Sequence, residues 1–136
     1  PGSLYYFATR RIAPRAGGTF DPALMRSFCE VYVEAFERLC LLLAQDSALS
    51  VFCPSTVYVE DHPRGLAEYA MVKAAAEVLA RDLEQHHDRI SVHIARLPRL
   101  PTDQTAGMIE QEAGSIVESV LPAIHHVETA GSAAPH

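Results

Sequence analysis

Hydrophobic and polar positions divide the chain into alternating strand-like and helix-like stretches. Leu4 to Ala8 (Leu-Tyr-Tyr-Phe-Ala) is a continuous apolar and aromatic run ending in Thr9-Arg10-Arg11, the pattern of a strand buried on both faces. It predicts a central, parallel strand. Residues 13–19 read as a loop, after which Asp21 can cap a helix whose first position is Pro22, where a missing N–H costs nothing. That helix is expected over 22–45, with Leu24, Phe28, Val31, Ala35, Leu39 and Leu42 in one stripe and Met25, Cys29, Tyr32, Phe36 and Cys40 in a second beside it. So wide an apolar arc predicts cover on two sides, by its own sheet and by another helix or subunit. Leu49 to Cys53 reads as a second buried strand closed by Pro54-Ser55-Thr56, and the loop through Asp61-His62-Pro63-Arg64-Gly65 leads into a helix over 66–86 whose Ala74-Ala75-Ala76 should pack closely. Arg89 to Ala95 is the third strand, followed by a proline-punctuated loop from Arg96 to Thr102. A last helical region is expected over 108–127, where Ser115-Ile116-Val117-Glu118 reads as a capping box and Pro122 bends the remainder of the helix, and 129–136 reads as a disordered tail. Three alternations of strand and helix predict an α/β domain over 4–128 with a parallel sheet.

Tyr69 and Lys73 stand four apart in Glu68-Tyr69-Ala70-Met71-Val72-Lys73, so on a helix both emerge from one face. A tyrosine with an ordinary pKa near ~10 is a poor proton donor or acceptor at neutral pH, and a neighbouring ammonium favours the phenolate. The same spacing also occurs as a surface pair on many helices.

The order of elements adds to that pair. A strand ending in Pro54-Ser55-Thr56, a loop, a helix bearing Tyr69-x-x-x-Lys73 with Ala74-Ala75-Ala76-Glu77, a further strand and then Pro98 to Thr102 resembles the short-chain dehydrogenase/reductase family over residues 4–127. The resemblance implies a Rossmann-like sheet with helices on both faces. It also implies Tyr69 as proton donor or acceptor, Lys73 as the group that lowers its pKa and binds the nicotinamide ribose, and Ser55 as the hydroxyl that holds the substrate oxygen. Thr56 stands one residue nearer to Tyr69 and is the alternative. Pro98 and Thr102 correspond to positions bordering the nicotinamide, although Arg99 follows where the family has glycine. Pro54-Ser55-Thr56-Val57 and Leu97-Pro98-Arg99 through Asp103-Gln104-Thr105 are similar to reductase-like domains of polyketide or fatty-acid-type multienzymes, whose substrate is an acyl chain on a carrier protein. The implied cofactor is NADPH or NADH.

Two departures stand against this pattern. Tyr32 falls where many members have an active-site asparagine, and no glycine-rich strand-turn-helix precedes Tyr69, since Gly17-Gly18 lacks the fingerprint spacing. The resemblance therefore implies a truncated sheet whose first strand, with a bare edge, requires cover by a cofactor-binding half, a local element or a second copy. It also implies a homodimer through the helices over 22–45 and 66–86. The expected function is the catalytic half of a carbonyl reductase, not competent alone; the alternative is a noncatalytic dimerisation or docking module.

Composition narrows the remaining classes. Eleven Lys plus Arg against seventeen Asp plus Glu give a net charge of −6 with the basic residues scattered, which argues against nucleic acid as a partner. The apolar run Leu39 to Ala44 is far shorter than the ~20 residues of a membrane span, and a cytosolic protein is expected. Cys29, Cys40 and Cys53 lie in apolar surroundings without CxxC spacing and read as buried, reduced thiols. His86-His87 and His125-His126 lack a third ligand at metal-binding spacing, so no metal is expected. His62 with Asp61 is a loop residue that could touch substrate, Arg96 and Arg99 flank the substrate-side loop, and Glu68 reads as a solvated or capping charge. Pro1-Gly2-Ser3 has the composition left by a cleaved expression tag, which predicts a natural segment beginning at Leu4.

Overall fold

Three parallel strands joined through helices organise the chain in a computed structural model that describes residues 1–14, 17 and 19–98. β1 (Gly2–Tyr5) pairs with β2 (Leu49–Thr56), and β2 pairs with β3 (Ile90–Leu97), in the order β1-β2-β3. The chain is thus α/β with a small parallel sheet. The register sets Leu4 against Val51 and Val51 against Val92, while Tyr5, Phe52 and His93 form the neighbouring row on the opposite face.

Among the described residues β2, not β1, is the central strand, and all eight of its residues are buried. In the described sheet β1 lies at the edge, and it begins at Gly2, because Gly2 and Ser3, expected to precede the fold, pair with Leu49 and Ser50. The aromatic run leaves the sheet after Tyr5 for a polar reason. Tyr6 donates its hydroxyl to the Val31 carbonyl at 2.5 Å, and Thr9 and Arg10 both bond to the Tyr32 hydroxyl, which draws 6–10 over the first helix. β2 in turn runs three residues beyond the expected end at Cys53, with Pro54 opposite Ala95, Ser55 opposite Arg96 and Thr56 opposite Leu97.

Asp21 caps α1 (Pro22–Cys29), accepting from the Ala23 and Leu24 amides at 3.0 and 3.3 Å. A π-helical segment, Glu30–Glu34, joins α1 to α2 (Ala35–Leu43) in one continuous rod. In it the Ala35 amide bonds to the Glu30 carbonyl, so the extra residue per turn keeps Phe28, Tyr32, Phe36 and Cys40, each four apart, on one buried column. An uninterrupted α-helix would rotate that column away from the core. The column takes Phe28 from one of the two stripes expected from the sequence and Tyr32, Phe36 and Cys40 from the other, while Leu42 is 61% exposed.

A short α3 (Tyr58–Asp61) precedes α4 (Ala67–His86). Ala70, Ala76 and Ala80 are buried and allow close approach to the sheet, whereas Ala75, expected to pack, is exposed. Phe36, Cys40, Ala80 and Leu83 form the main core with Leu49, Val51, Cys53 and Ile90. These sheet residues all lie on one face, so α2 and α4 share it. Helices on both faces were expected; among the described residues the helix cover is on this face. The regions 108–127 and 129–136, with Thr102, lie outside the described residues. No described helix is long and apolar enough to cross a membrane.

Phe36 is fully buried where α2, Tyr6 and the sheet meet, with its ring 5.2 Å from that of Tyr6. Phe36→Ala is expected to cost about 3–5 kcal/mol of unfolding free energy, read from urea denaturation, whereas truncating the exposed Val78 should cost under about 0.5 kcal/mol.

Candidate functional site

The site begins where β1 and β2 part. The Phe52 carbonyl still accepts from the Tyr6 amide at 3.2 Å, so the next residue with the same backbone orientation, Pro54, faces the side that β1 has left. A proline is tolerated there because no ladder bond needs its missing N–H. Its carbonyl accepts a hydrogen bond from the Lys73 ammonium at 2.7 Å, in the interior. Lys73 is only 9% exposed, and its ammonium lies 4.7 Å from the ring centroid of Tyr32 and 5.8 Å from that of Tyr69.

Tyr69 and Lys73 thus do stand together on α4 at the carboxyl end of β2. Tyr69 also meets Phe28, Tyr32 and Tyr58 edge-on, at centroid distances of 6.3, 5.9 and 6.2 Å. Burial among these rings pushes the Tyr69 phenol up to about 12, and Tyr32 and Tyr58 add to the rise. The lowering expected from Lys73 does not prevail in this arrangement, because desolvation disfavours the phenolate and Pro54 engages the ammonium. Burial likewise holds Lys73 below the ordinary lysine value, against the opposing pull of Cys53 and Glu77.

Ser55 turns elsewhere. Its hydroxyl donates to Glu77 at 2.5 Å, and Glu77 is gripped at both oxygens by Arg96, through Nε at 3.0 Å and through Nη2 at 2.9 Å. Arg96 also pairs with Glu60 of α3, so four elements meet in one polar cluster. Arg96 is therefore a clamp within the fold. Its guanidinium, with the Ser55 bond, holds the Glu77 carboxyl below the usual carboxylate range. Thr56 accepts from the Tyr58 amide at 3.3 Å and starts the turn of α3. Pro98 directly follows β3 and is exposed, while Thr102 and Arg99 fall outside the described residues.

Sequence reasoning missed Tyr58 and the part played by Glu77, and it took Tyr32 only as a departure from the family pattern. Glu77 carried a signal, since 69, 73 and 77 recur at four-residue spacing on one helix face. Glu68, expected as a solvated or capping charge, is not solvated: it is 1% exposed and accepts from the Asp21 amide at 2.6 Å, which joins the start of α4 to the start of α1. His62, in the left-handed conformation at φ 48°, ends α3 and lines a cavity of about 310 Å³ with Val59, Ala67, Ala70, Met71 and Ala74. This cavity lies on a different face of α4 from Tyr69 and Lys73. The Cys40 and Cys53 thiols are pushed up by burial to about 12 and about 11, far from the range of a reactive thiolate.

A dinucleotide does not fit the described residues as they stand. Its pyrophosphate requires free amides at a helix N-terminus, but Asp21 occupies that place on α1 and Glu68 lies in the first turn of α4. Lys73, the group implied for the ribose, is buried against Pro54. Among the described residues no group of three His, Cys, Asp or Glu is arranged to hold a metal ion.

Nothing matches this chain among family models, characterised proteins or solved structures.

The depressed Glu77 carboxyl contributes stability that is fully present above the ordinary carboxylate value and is lost as pH falls through its lower folded value. Glu77→Gln should therefore lose less stability than the parent chain between pH ~7 and pH ~3, as measured by urea unfolding at each pH. In a spectrophotometric titration the Tyr69 phenol should ionise at about 12, and Tyr69→Phe should remove that contribution.

Proposed function

We propose that this chain carries the catalytic half of an NAD(P)H-dependent carbonyl (keto)reductase of the short-chain dehydrogenase/reductase type, within a cytoplasmic polyketide or fatty-acid-type multienzyme. The cofactor-binding half is supplied from outside residues 1–136. The reading is carried by one observation: α4 sets Tyr69 and Lys73 side by side at the carboxyl end of the central strand, where open α/β sheets place their ligands. In this reading the sheet is a truncated Rossmann-like sheet, completed along β1, which among the described residues has a strand neighbour only on its β2 side. Tyr69 gives its proton to the carbonyl oxygen, Lys73 tunes Tyr69, and Ser55 or Thr56 orients the substrate. Pro98 and Thr102 border the site. Both Lys73 and Ser55 must exchange present partners, Pro54 and Glu77, to take these roles.

The exposed Met71 and Val78 on α4 and Leu42 on α2 support a homodimer through the helices over 22–45 and 66–86, and an acyl carrier protein is the implied donor of substrate. A second reading, a noncatalytic dimerisation or docking module derived from a reductase, is favoured by the Ser55–Glu77–Arg96 cluster. That cluster occupies the very hydroxyl that catalysis needs.

Calorimetric titration with NADPH and NADH, together with the mass in solution, tests both readings. Saturable binding at micromolar concentration by a dimer is the expected outcome once the cofactor-binding half is present. A folded assembly that binds neither dinucleotide would leave the docking module. In the parent multienzyme, Tyr69→Phe should abolish reduction of the product while leaving the assembly intact.

A further inference from the structure

Lys73 is the only lysine among the 136 residues; every other basic side chain counted among the Lys and Arg is arginine. The place it fills suits an ammonium and not a guanidinium. It offers a single hydrogen-bond acceptor, the Pro54 carbonyl, beside the faces of two aromatic rings, so a compact point charge is accommodated where a planar five-donor fork would leave donors unpaired. Of the two rings, that of Tyr32 is the nearer, at 4.7 Å against 5.8 Å for Tyr69.

Tyr32 is itself fixed from both ends. Its ring is 3% exposed and packs edge-on to Phe28 and Tyr69, at 5.8 and 5.9 Å. Its hydroxyl shares a hydrogen bond with the Thr9 hydroxyl at 2.6 Å and accepts from the Arg10 amide at 3.2 Å. The π-helical segment sets it on the same buried column as Phe28 and Phe36.

We infer that Tyr32 is a positioning residue for Tyr69 and Lys73: its ring holds the ammonium against Tyr69, and its hydroxyl ties both to the segment that leaves the edge strand β1. The groups facing Lys73 are Tyr69 and Glu77 on its own helix, Tyr32 from the π-helical segment, and Cys53 with the Pro54 carbonyl from β2. Of these described groups, Tyr32 is the one hydrogen-bonded to residues 9 and 10. A strand added along β1, or a displacement of that segment, is thereby transmitted to the pair. The positioning role rests on the reading of Tyr69 and Lys73 as a working pair.

The sole lysine makes the test direct. The whole chain, labelled with carbon-13 lysine, gives one ε-methylene signal, displaced by ring currents and showing an Overhauser effect to the Tyr69 ring. Tyr32→Leu should move that signal to the value of a solvated lysine and abolish the Tyr69 effect. Tyr32→Phe keeps the ring and loses the tether; it should shift the signal part of the way and remove hydrogen-exchange protection at the Arg10 amide. Tyr32→Phe decides the matter if Tyr32→Leu does not fold. An unchanged lysine signal in either folded variant overturns the inference. Because the readout needs no dinucleotide, failure of the cofactor titration counts against the reductase reading alone, and an unmoved lysine signal counts against Tyr32 alone.

Discussion

The parting of β1 from β2 leaves a backbone carbonyl in the interior with no strand to receive it, and the rest of the site depends on how that carbonyl is satisfied. Pro54 brings an acceptor without a donor, and Lys73 reaches it from α4 at 2.7 Å. An unpaired buried carbonyl costs about 1–3 kcal/mol, and an unpaired buried ammonium costs several more. Each group answers the need of the other. The Tyr32 and Tyr69 rings complete the shell of the cation with about 0.5–2 kcal/mol apiece at such distances. Burial, not proximity, then governs the titration of both partners: Tyr69 rises and Lys73 falls.

Two hydrogen-bonded systems flank this contact. One runs from residues 6–10 through Tyr6, Thr9 and Tyr32 to the π-helical segment, whose register shift frees no core position and keeps Phe28, Tyr32 and Phe36 inward. The other joins Ser55, Glu77, Arg96 and Glu60, one turn further along α4. Adjacent residues of β2 point to opposite sides of the sheet, so Ser55 shares its face with Glu77 while Thr56 serves the turn into α3. The separation explains why a hydroxyl so near Tyr69 in sequence has a different partner in space.

Much of the fold was legible along the chain. The Asp21-Pro22 start of α1, the helix over 66–86 and the apolar run at 49–53 arise from capping chemistry and periodicity, which act over a few residues. The strand order was less so. Leu4 to Ala8 carries the composition of a buried strand, yet its tyrosine hydroxyl finds a carbonyl on the neighbouring helix and the pairing ends at Tyr5. Glu68 shows the same limit: nothing local distinguishes a solvated glutamate from one that caps a distant helix entry across 47 positions.

The sequence by itself determined the alternation of strands and helices, the parallel pairing it demands, and the presence of Tyr69 and Lys73 on one helix face. Those depend on periods of two and four residues and on the local chemistry of proline and aspartate. Only the tertiary structure decided which strand is central, that Tyr32 faces the lone ammonium, and that Ser55 belongs to Glu77 and Arg96. These depend on where β1 diverges from β2 and on which buried polar groups are then left to find one another, and no local pattern encodes that meeting.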